Sequence, residues 1–389
     1  MRLTGTTAMG IRLPIISKSD DLVSIVTDHV LAVYDEAKLA PKDSDIIAVT
    51  ESMVAKAEGN FATLDDIAAD VNAKFGDEEI GLVYPILSRN RFVNILKGIA
   101  RGAKKVHVLL SYPNDEVGNP VMDIEKLDDV LDALGSKMVT ADEFKNVAGM
   151  FKHIYTGVDY IDLYKSLSNN IEIYFSNDPR DILKITKHVL VAEIHNRFRT
   201  KKRLMKAGAQ VVYTLSDILS ESVNGSGYNP QYGILGSNLS TENQLKLFPA
   251  HAPEFVNNVQ VRIFEKTGIS PEVMVYGDGA FKDPLCGIWE LADPVVSPGF
   301  TKRLGLQPVE IKMKYVADSL GQLSETEKHE AIEKVIAQKY DNPDAYREGT
   351  TPRIYADLVG SLCDLIGGSG DKGTPVVLLR GYFDDYTAE

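Results

Sequence analysis

One short segment of the chain carries a side chain that could hold a phosphate group. Residues 50–59 read Thr-Glu-Ser-Met-Val-Ala-Lys-Ala-Glu-Gly, and they follow an apolar stretch that predicts a strand. We interpret them as the turn that leaves this strand. Lys56 carries the compact positive charge that meets nucleotide phosphates in many proteins. A lysine in a turn is also commonly part of a solvated surface, so both interpretations of Lys56 remain open.

Three further segments place candidate ligand-binding groups in loops. Asp278 follows an apolar strand, and loops at strand ends commonly carry binding groups. Asp159 ends a Gly-Val-Asp sequence that is common in turns. Residues 365–370 form a glycine-rich loop between a predicted helix and a predicted strand. That loop is either a helix cap with a chain reversal or a loop that lies against a ligand.

In chain order, residues 50–59, 155–159, 275–279 and 373–381 resemble the coenzyme F420-0:L-glutamate ligases, the γ-glutamyl ligase family of deazaflavin cofactor synthesis. The resemblance covers residues 1–100, the surroundings of Asp159 and residues 350–389. It implies an α+β, mixed-sheet γ-glutamyl ligase-like fold, here with a large central insertion. It also implies an intertwined homodimer, and twofold-symmetric dimers are the commonest oligomers.

The resemblance implies a nucleotide site assembled from several parts of the chain. The family has a pair of lysines that contact the nucleotide. Here the second lysine is Lys56, and Ser52 takes the place of the first. The family's asparagine at this site aligns with Asp162, which accepts hydrogen bonds but donates none when ionised. The implied nucleotide-binding residues are Ile11, Leu13, Pro14, Ser52, Lys56, Asp162, Gly367, Gly368 and Ser369.

A divalent metal site is implied as well. The family's metal-binding aspartates align with Asp159 and Asp278, and we expect these two carboxylates to meet at one ion. A metal-binding threonine of the family is replaced by Gly279, and another metal-binding position is occupied by Gly368. Carboxylate oxygens are hard ligands that suit Mg²⁺ or Mn²⁺. One of these two metals is therefore the expected cofactor.

The implied reaction is amide-bond formation with GTP as co-substrate. The family activates a carboxylate as an acyl phosphate and couples it to the amine of L-glutamate. This activation is needed because oxide is a poor leaving group. We expect a GTP-dependent γ-glutamyl ligase with small carboxylate and amino-acid substrates, and we assign no catalytic residue. A non-catalytic protein that binds a nucleotide or a metabolite on the same scaffold, and a phosphotransferase, remain as alternatives.

Composition excludes several other classes of protein. The hydrophobic content of 44% and the charged content of 25% are those of an ordinary globular protein. The net charge of −13 argues against nonspecific binding of nucleic acid, which needs a basic surface. No stretch is apolar enough to predict a membrane span. Cys286 and Cys363 do not make a disulfide framework, so we expect a reduced, cytoplasmic setting.

Alternating helix and strand patterns must position these groups. Apolar spacing predicts helices over 20–37, 63–74, 89–100, 142–153, 254–267, 324–339 and 353–366, and one long helical stretch over 181–206. Short apolar runs predict strands over 45–50, 105–111, 211–215, 271–276 and 376–379. Thr63 and Asp66 predict a capping box. We expect a ligase-like N-terminal region over 1–195, a central insertion over 196–270 and a C-terminal ligase-like region over 271–389 that completes the site.

Overall fold

Two large β-sheets organise the protein. The computed structural model describes residues 3–154, 156–277, 281–282, 289–290, 297–321, 323–341, 353–368 and 370–388. Over these residues, a five-stranded sheet is built mainly from the two ends of the chain, and a six-stranded sheet is built from its middle. Smaller sheets of three and of two strands accompany them.

The five-stranded sheet joins strands that are far apart in sequence. Its members are β1 (Thr7–Ile11), β2 (Ile46–Thr50), β12 (Glu272–Tyr276), β15 (Gly299–Phe300) and β16 (Val376–Arg380). Their order is β1-β16-β2-β12-β15, with β2 and β12 parallel and the other neighbours antiparallel. Every residue of β2 is buried. A continuous apolar strand of this kind indicates a sheet covered on both faces.

Helices cover those two faces. The helices α1 (Leu22–Glu36) and α9 (Ala252–Thr267) pack on one face, where Val30 and Val259 are fully buried. The helix α12 (Tyr355–Ile366) packs on the other face through Val359 and Cys363. Burial of such side chains supplies the main free energy that holds sheet and helices together.

The six-stranded sheet is doubly wound. Its strands are β4 (Glu79–Val83), β5 (Lys105–Leu110), β6 (Val139–Thr140), β7 (Ile171–Phe175), β8 (His188–Val191) and β9 (Val211–Thr214). The order is β6-β7-β5-β4-β8-β9, and all neighbours except β6 and β7 are parallel. The helices α4 (Val93–Gly102) and α7 (Tyr160–Lys165) pack on one face and α8 (Arg197–Lys206) on the other. The strand order reverses between β4 and β8.

A short antiparallel sheet follows the end of β2. The helix α2 (Glu51–Glu58) leads into β3 (Phe61–Thr63), which pairs with β11 (Gln244–Lys246), and β11 pairs in turn with β10 (Asn238–Thr241). Residues 238–246 therefore lie beside the segment that carries Lys56. The other described elements are α3 (Leu64–Phe75), α5 (Leu127–Leu134), α6 (Ala141–Ala148), α10 (Met313–Ser319), α11 (Glu325–Ala337), β13 (Phe281–Lys282) and β14 (Trp289–Glu290).

Local sequence signals are confirmed where they are strong. The capping box at the start of α3 is present, with Thr63 accepting from the backbone N–H of Asp66 and Asp66 accepting from that of Thr63. The prediction of one long helix over 181–206 is wrong. A 3₁₀ helix ends at Lys184, and β8 and α8 follow it separately. The apolar run of β8 is buried between β4 and β9, and periodicity alone cannot distinguish such a short run from a helix.

The segment that leaves β2 also differs from expectation. Residues 51–58 form α2 instead of a turn, and Gly59 ends this helix in the left-handed conformation at a φ of 70°. A glycine adopts that conformation without the steric cost of a Cβ. Lys56 thus projects from a helix that begins directly after the last residue of a buried strand.

The predicted fold class is confirmed in outline, because the protein mixes helices with several mixed sheets. The predicted boundary at 195/196 falls between β8 and α8 of the six-stranded sheet. The domain limits, the central insertion and the dimer remain predictions. Within the residues that the structure describes, no helix is both long and apolar enough to cross a membrane.

Candidate functional site

Four strand ends meet at one edge of the five-stranded sheet. Across neighbouring strands, Ile11 pairs with Val376, Val376 pairs with Val49, and Thr50 pairs with Tyr276. The ends of β1, β2 and β12 therefore lie beside the start of β16. The backbone N–H of Thr50 donates to the carbonyl of Pro375 at 2.9 Å, which fixes the loop before β16 against the start of α2. We call this row of strand ends the β2 edge.

The predicted N-terminal nucleotide-binding residues lie at the β2 edge. Ile11 is buried as the last residue of β1, Leu13 is half-buried and Pro14 is exposed. The chain then runs along α2, where the backbone N–H of Ser19 donates to the carbonyl of Ala57 at 2.9 Å. This path places the segment after β1 alongside the helix that carries Ser52 and Lys56.

Ser52 and Lys56 share one face of α2. They are four residues apart, so their side chains are neighbours on the helix surface. Lys56 is exposed, and Ser52 is half-buried. Thr50 precedes the helix without a side-chain capping hydrogen bond. The first N–H groups of a helix point away from it and favour negative charge, so this helix start is suited to an anion.

Glu51 and Lys246 form a buried ion pair at the start of α2. Lys246 Nζ donates to Glu51 Oε1, and the two side chains are only 11% and 6% exposed. Lys246 is the last residue of β11 and pairs with Phe61 of β3. The sequence analysis did not identify Lys246. No local signal could have identified it, because 195 positions separate it from Glu51.

The far end of α2 is anchored to the same central segment. Glu58 accepts hydrogen bonds from the backbone N–H groups of Ala250 at 2.8 Å and His251 at 3.1 Å. Burial raises the pKa of Glu58, and these two hydrogen bonds partly oppose that shift. Asn60 donates to the carbonyls of Tyr228 and Phe248. The orientation of α2 is therefore fixed at its end independently of the Glu51–Lys246 pair.

The glycine-rich loop before β16 packs tightly at the β2 edge. A Cβ on Gly367 would lie 2.7 Å from Tyr276 Oη and 2.8 Å from the carbonyl of Thr374, so a side chain does not fit there without movement. Gly368 has a φ of 118° and donates its backbone N–H to the carbonyl of Thr374 at 3.0 Å. The hydroxyl of Thr374 is buried without a hydrogen-bond partner among the described residues. Ser369 lies outside the described residues.

Asp159 and Asp162 lie elsewhere, in the part of the chain that forms the six-stranded sheet. Asp159 caps α7 by accepting from the backbone N–H groups of Ile161 at 2.9 Å and Asp162 at 3.1 Å. Lys145 Nζ lies 2.7 Å from Asp159 and 2.6 Å from Asp162. Although burial alone would lower it, the pKa of Lys145 is raised by its hydrogen bonds to these two carboxylates. Among the described residues, no hydrogen bond or ion pair joins either aspartate to the β2 edge.

The donor set for a metal is incomplete in the part of the chain that the structure describes. Both oxygens of Asp159 are already engaged, one by the helix start and the other by Lys145. Asp278 and Gly279 lie outside the described residues, two and three positions after the end of β12. No group of three or more His, Cys, Asp or Glu side chains in the described part is arranged to hold an ion. The metal site shared by Asp159 and Asp278 stays a prediction. The carboxylate of Asp159 is not free to bind a metal, because both of its oxygens already have partners.

A second set of polar groups follows the strands of the six-stranded sheet. Asp115, after β5, accepts hydrogen bonds from the backbone N–H groups of Leu87, Val117 and Asn119 and from the side chain of Asn119, all at 2.8–3.0 Å. Burial raises the pKa of Asp115 to about 6 despite these hydrogen bonds. Glu116 accepts from the backbone N–H groups of Ile194 and His195 after β8. We call this set of strand ends the β8 edge.

Comparison with known proteins decides the family. The model of the F420-0:γ-glutamyl ligase family matches residues 10–381, which is nearly the whole chain. The chain belongs to the F420-0:γ-glutamyl ligase family. The match includes the segments that form the β2 edge and also the six-stranded sheet between them. The predicted resemblance to these ligases is confirmed.

The other comparisons add little to this family assignment. No curated protein matches the chain. Among solved structures, the biosynthetic arginine decarboxylase of Campylobacter jejuni aligns with this chain at 8% identity and a TM-score of 0.14. That comparison covers 93% of this chain and 66% of the decarboxylase. A score this low carries no structural argument, so the assignment rests on the family model.

Proposed function

We propose that the protein is a GTP-dependent γ-glutamyl ligase whose nucleotide binds at the β2 edge. The observation that carries this proposal is the convergence of Ile11, Leu13, Pro14, Ser52, Lys56, Gly367 and Gly368 at one edge of one sheet. The family resemblance selected these positions from separate parts of the sequence. Their proximity supports a shared ligand.

The β2 edge offers two kinds of group to a triphosphate. Lys56 is an exposed cation with no ion pair among the described residues. The start of α2 offers backbone N–H groups, whose partial positive charge favours an anion. Such groups position a phosphoryl group and stabilise its charge, which is most of what phosphoryl transfer needs from a protein.

The reaction consists of two displacements. In the first, an oxygen of the acceptor carboxylate attacks the γ-phosphorus of GTP, the bond to the β-phosphate oxygen breaks, and GDP leaves. In the second, the amine of L-glutamate attacks the acyl carbon, inorganic phosphate leaves with the bonding electrons, and the amine gives up a proton. Mg²⁺ or Mn²⁺ bound with the nucleotide would neutralise part of the negative charge of its phosphates. We assign no step to a metal held by Asp159.

The experiment is a coupled measurement of phosphate release and amide formation. The protein is incubated with GTP or ATP, Mn²⁺, L-glutamate and candidate acceptors, including the deazaflavin F420-0. Hydroxylamine in place of L-glutamate should trap the acyl phosphate as a hydroxamate. We expect phosphate release that requires both nucleotide and acceptor, and a loss of that release in Lys56→Met.

Two outcomes would contradict the proposal. Nucleotide binding at the β2 edge without phosphate release or hydroxamate, with any acceptor, would favour the non-catalytic binding protein. Transfer of the γ-phosphoryl group to the acceptor, with no amide formed in the presence of L-glutamate, would favour the phosphotransferase.

We further propose the homodimer that the family resemblance implies. Light scattering at micromolar concentration should give twice the monomer mass of 42.8 kDa. A mass equal to that of one chain would contradict it.

A further inference from the structure

We propose that Lys246 supplies the second phosphate-binding cation of the β2 edge, in place of the family lysine that Ser52 replaces. Glu51 acts as the positioning residue that holds the ammonium group at the start of α2. This inference rests on the proposed nucleotide site. It adds Lys246 to that site, and Lys246 lies outside the segments that resemble the family's nucleotide motif. It concerns binding of the triphosphate, and it makes no claim about the acceptor.

The position of Lys246 carries the argument. Its Nζ contacts the carboxylate of Glu51, the first residue of α2 and the direct neighbour of Ser52. The backbone of Lys246 is fixed by its pairing with Phe61 and Asn238 in the three-stranded sheet. A lysine from a distant strand therefore presents its charge at the helix start where the family's first lysine would stand.

Charge balance supports a functional role. Glu51 alone would put a negative charge at the helix start and would repel a phosphate there. Pairing with Lys246 neutralises that charge. A lysine ammonium has three N–H donors, and the contact with Glu51 uses one of them among the described contacts. In this proposal the other two donors bind phosphate oxygens, so the pair would hold the ammonium group in place without consuming its binding capacity.

A purely structural role explains the pair less well. The far end of α2 is already anchored by the hydrogen bonds of Glu58 and Asn60 to residues 228–251. Buried ion pairs seldom stabilise a fold more than apolar side chains of similar volume, because both charges lose hydration. A buried pair with 6% and 11% exposure at the predicted phosphate site is therefore better explained by ligand binding.

The test compares the affinities of three ligands in a small set of variants. Calorimetry measures binding of GTP, ATP and guanosine to the full-length protein in Mn²⁺. Lys246→Met should weaken GTP binding by about 10-fold to 100-fold, as expected for the loss of one charge-assisted contact. It should leave guanosine binding unchanged, because guanosine has no phosphates. Lys266→Met, which removes a lysine paired with Asp28 on the outer helices, is the matched control and should change neither affinity.

Rescue distinguishes a lost cation from a damaged fold. Adding Ser52→Lys to Lys246→Met should restore GTP affinity to within about threefold of the wild type, because it returns a cation to the same helix start. If Lys246→Met does not fold, Glu51→Gln/Lys246→Met replaces it, since the double variant leaves no unpaired buried carboxylate. Ser52→Lys is then added to that double variant.

The outcomes separate this inference from the proposed function. Equal GTP affinity in Lys246→Met and the wild type overturns the role of Lys246 and leaves the β2-edge site standing. Equal weakening of GTP and guanosine, without rescue by Ser52→Lys, assigns the pair to folding and also overturns it. If the wild type binds neither GTP nor ATP, the proposed function fails, and this inference fails with it.

Discussion

The β2 edge and the β8 edge both gather polar side chains at strand ends, but they use them differently. At the β8 edge the carboxylates are saturated by the protein itself: Asp115 accepts four hydrogen bonds, and Glu116 bonds the backbone after β8. At the β2 edge, Lys56 is exposed and the helix start of α2 has no side-chain cap. A polar residue at a strand end indicates a binding site only when its hydrogen-bonding capacity is still available.

The same contrast explains the two aspartates of the family resemblance. Asp159 has the sequence context of a metal ligand, but its carboxylate caps α7 and pairs with Lys145. A capping carboxylate satisfies helix N–H groups that otherwise have no partner, and this contributes about 1 kcal/mol to stability. Asp278 comes two positions after the end of β12 in the sequence and lies outside the described residues. Of the two predicted metal ligands, Asp278 is therefore the one whose position along the chain suits the proposed site.

The largest expected effect is a loss of stability when a carboxylate of the β8 edge is removed. Asp115→Ala removes the acceptor for four hydrogen bonds, three of them from backbone N–H groups. We expect the free energy of unfolding to fall by about 3 kcal/mol, because buried donors are left unsatisfied. Urea unfolding measures this change, with the exposed Asp128→Ala as control. A small loss of stability combined with a large loss of GTP affinity would place the ligand at the β8 edge instead.

The second prediction concerns the exposed lysine of the β2 edge. Lys56→Met should weaken GTP binding by about 1.5–3 kcal/mol, or roughly 10-fold to 100-fold, while the free energy of unfolding stays unchanged. Calorimetry and urea unfolding check the two halves of this statement. The exposed Lys187→Met, near the six-stranded sheet, carries the same loss of charge and should bind GTP normally. Equal weakening in both variants would mean that net charge, and not a local contact, governs binding.

The smallest predicted effect is a dependence of stability on pH that arises at the β8 edge. Burial raises the pKa of Asp115 to about 6 in the folded protein, above the usual aspartate value of 3.8. Protonated Asp115 therefore favours the folded state, and this contribution is present below about pH 4 and is lost as the pH rises through about 6. Relative to Asp115→Asn, the wild type should lose roughly 2 kcal/mol of unfolding free energy between pH 4 and pH 7. If the stability difference between the wild type and Asp115→Asn stayed constant from pH 4 to pH 7, the raised pKa of Asp115 would be contradicted.

Local features of this fold could be predicted from the sequence, and long-range ones could not. The capping box of Thr63 and Asp66 was predictable because both partners lie within one helical turn. The strand β8 was missed because its four residues satisfy a helical pattern and a buried strand equally well. Lys246 could not be predicted, since only folding brings it to Glu51.

The residues of the candidate site were likewise only partly predictable from the sequence. The resemblance selected Ile11, Ser52, Lys56 and Gly367, and the pairing of β1, β2, β12 and β16 brings them to one edge. Asp162 was selected by the same resemblance but pairs with Lys145 beside α7. A sequence pattern does not reveal which partners a side chain meets after folding, so a residue that caps or pairs internally resembles one that binds a ligand.

The most direct test of the central claim is a crystal structure of the protein soaked with GTP and Mn²⁺. We predict that the triphosphate lies at the start of α2, within hydrogen-bond distance of Lys56 and Lys246, with the loop of Gly367 and Gly368 against the nucleotide. The anomalous signal of Mn²⁺ should lie on the phosphates at this edge. A nucleotide bound instead beside Asp115 and Glu116, after the strands of the six-stranded sheet, would contradict the account.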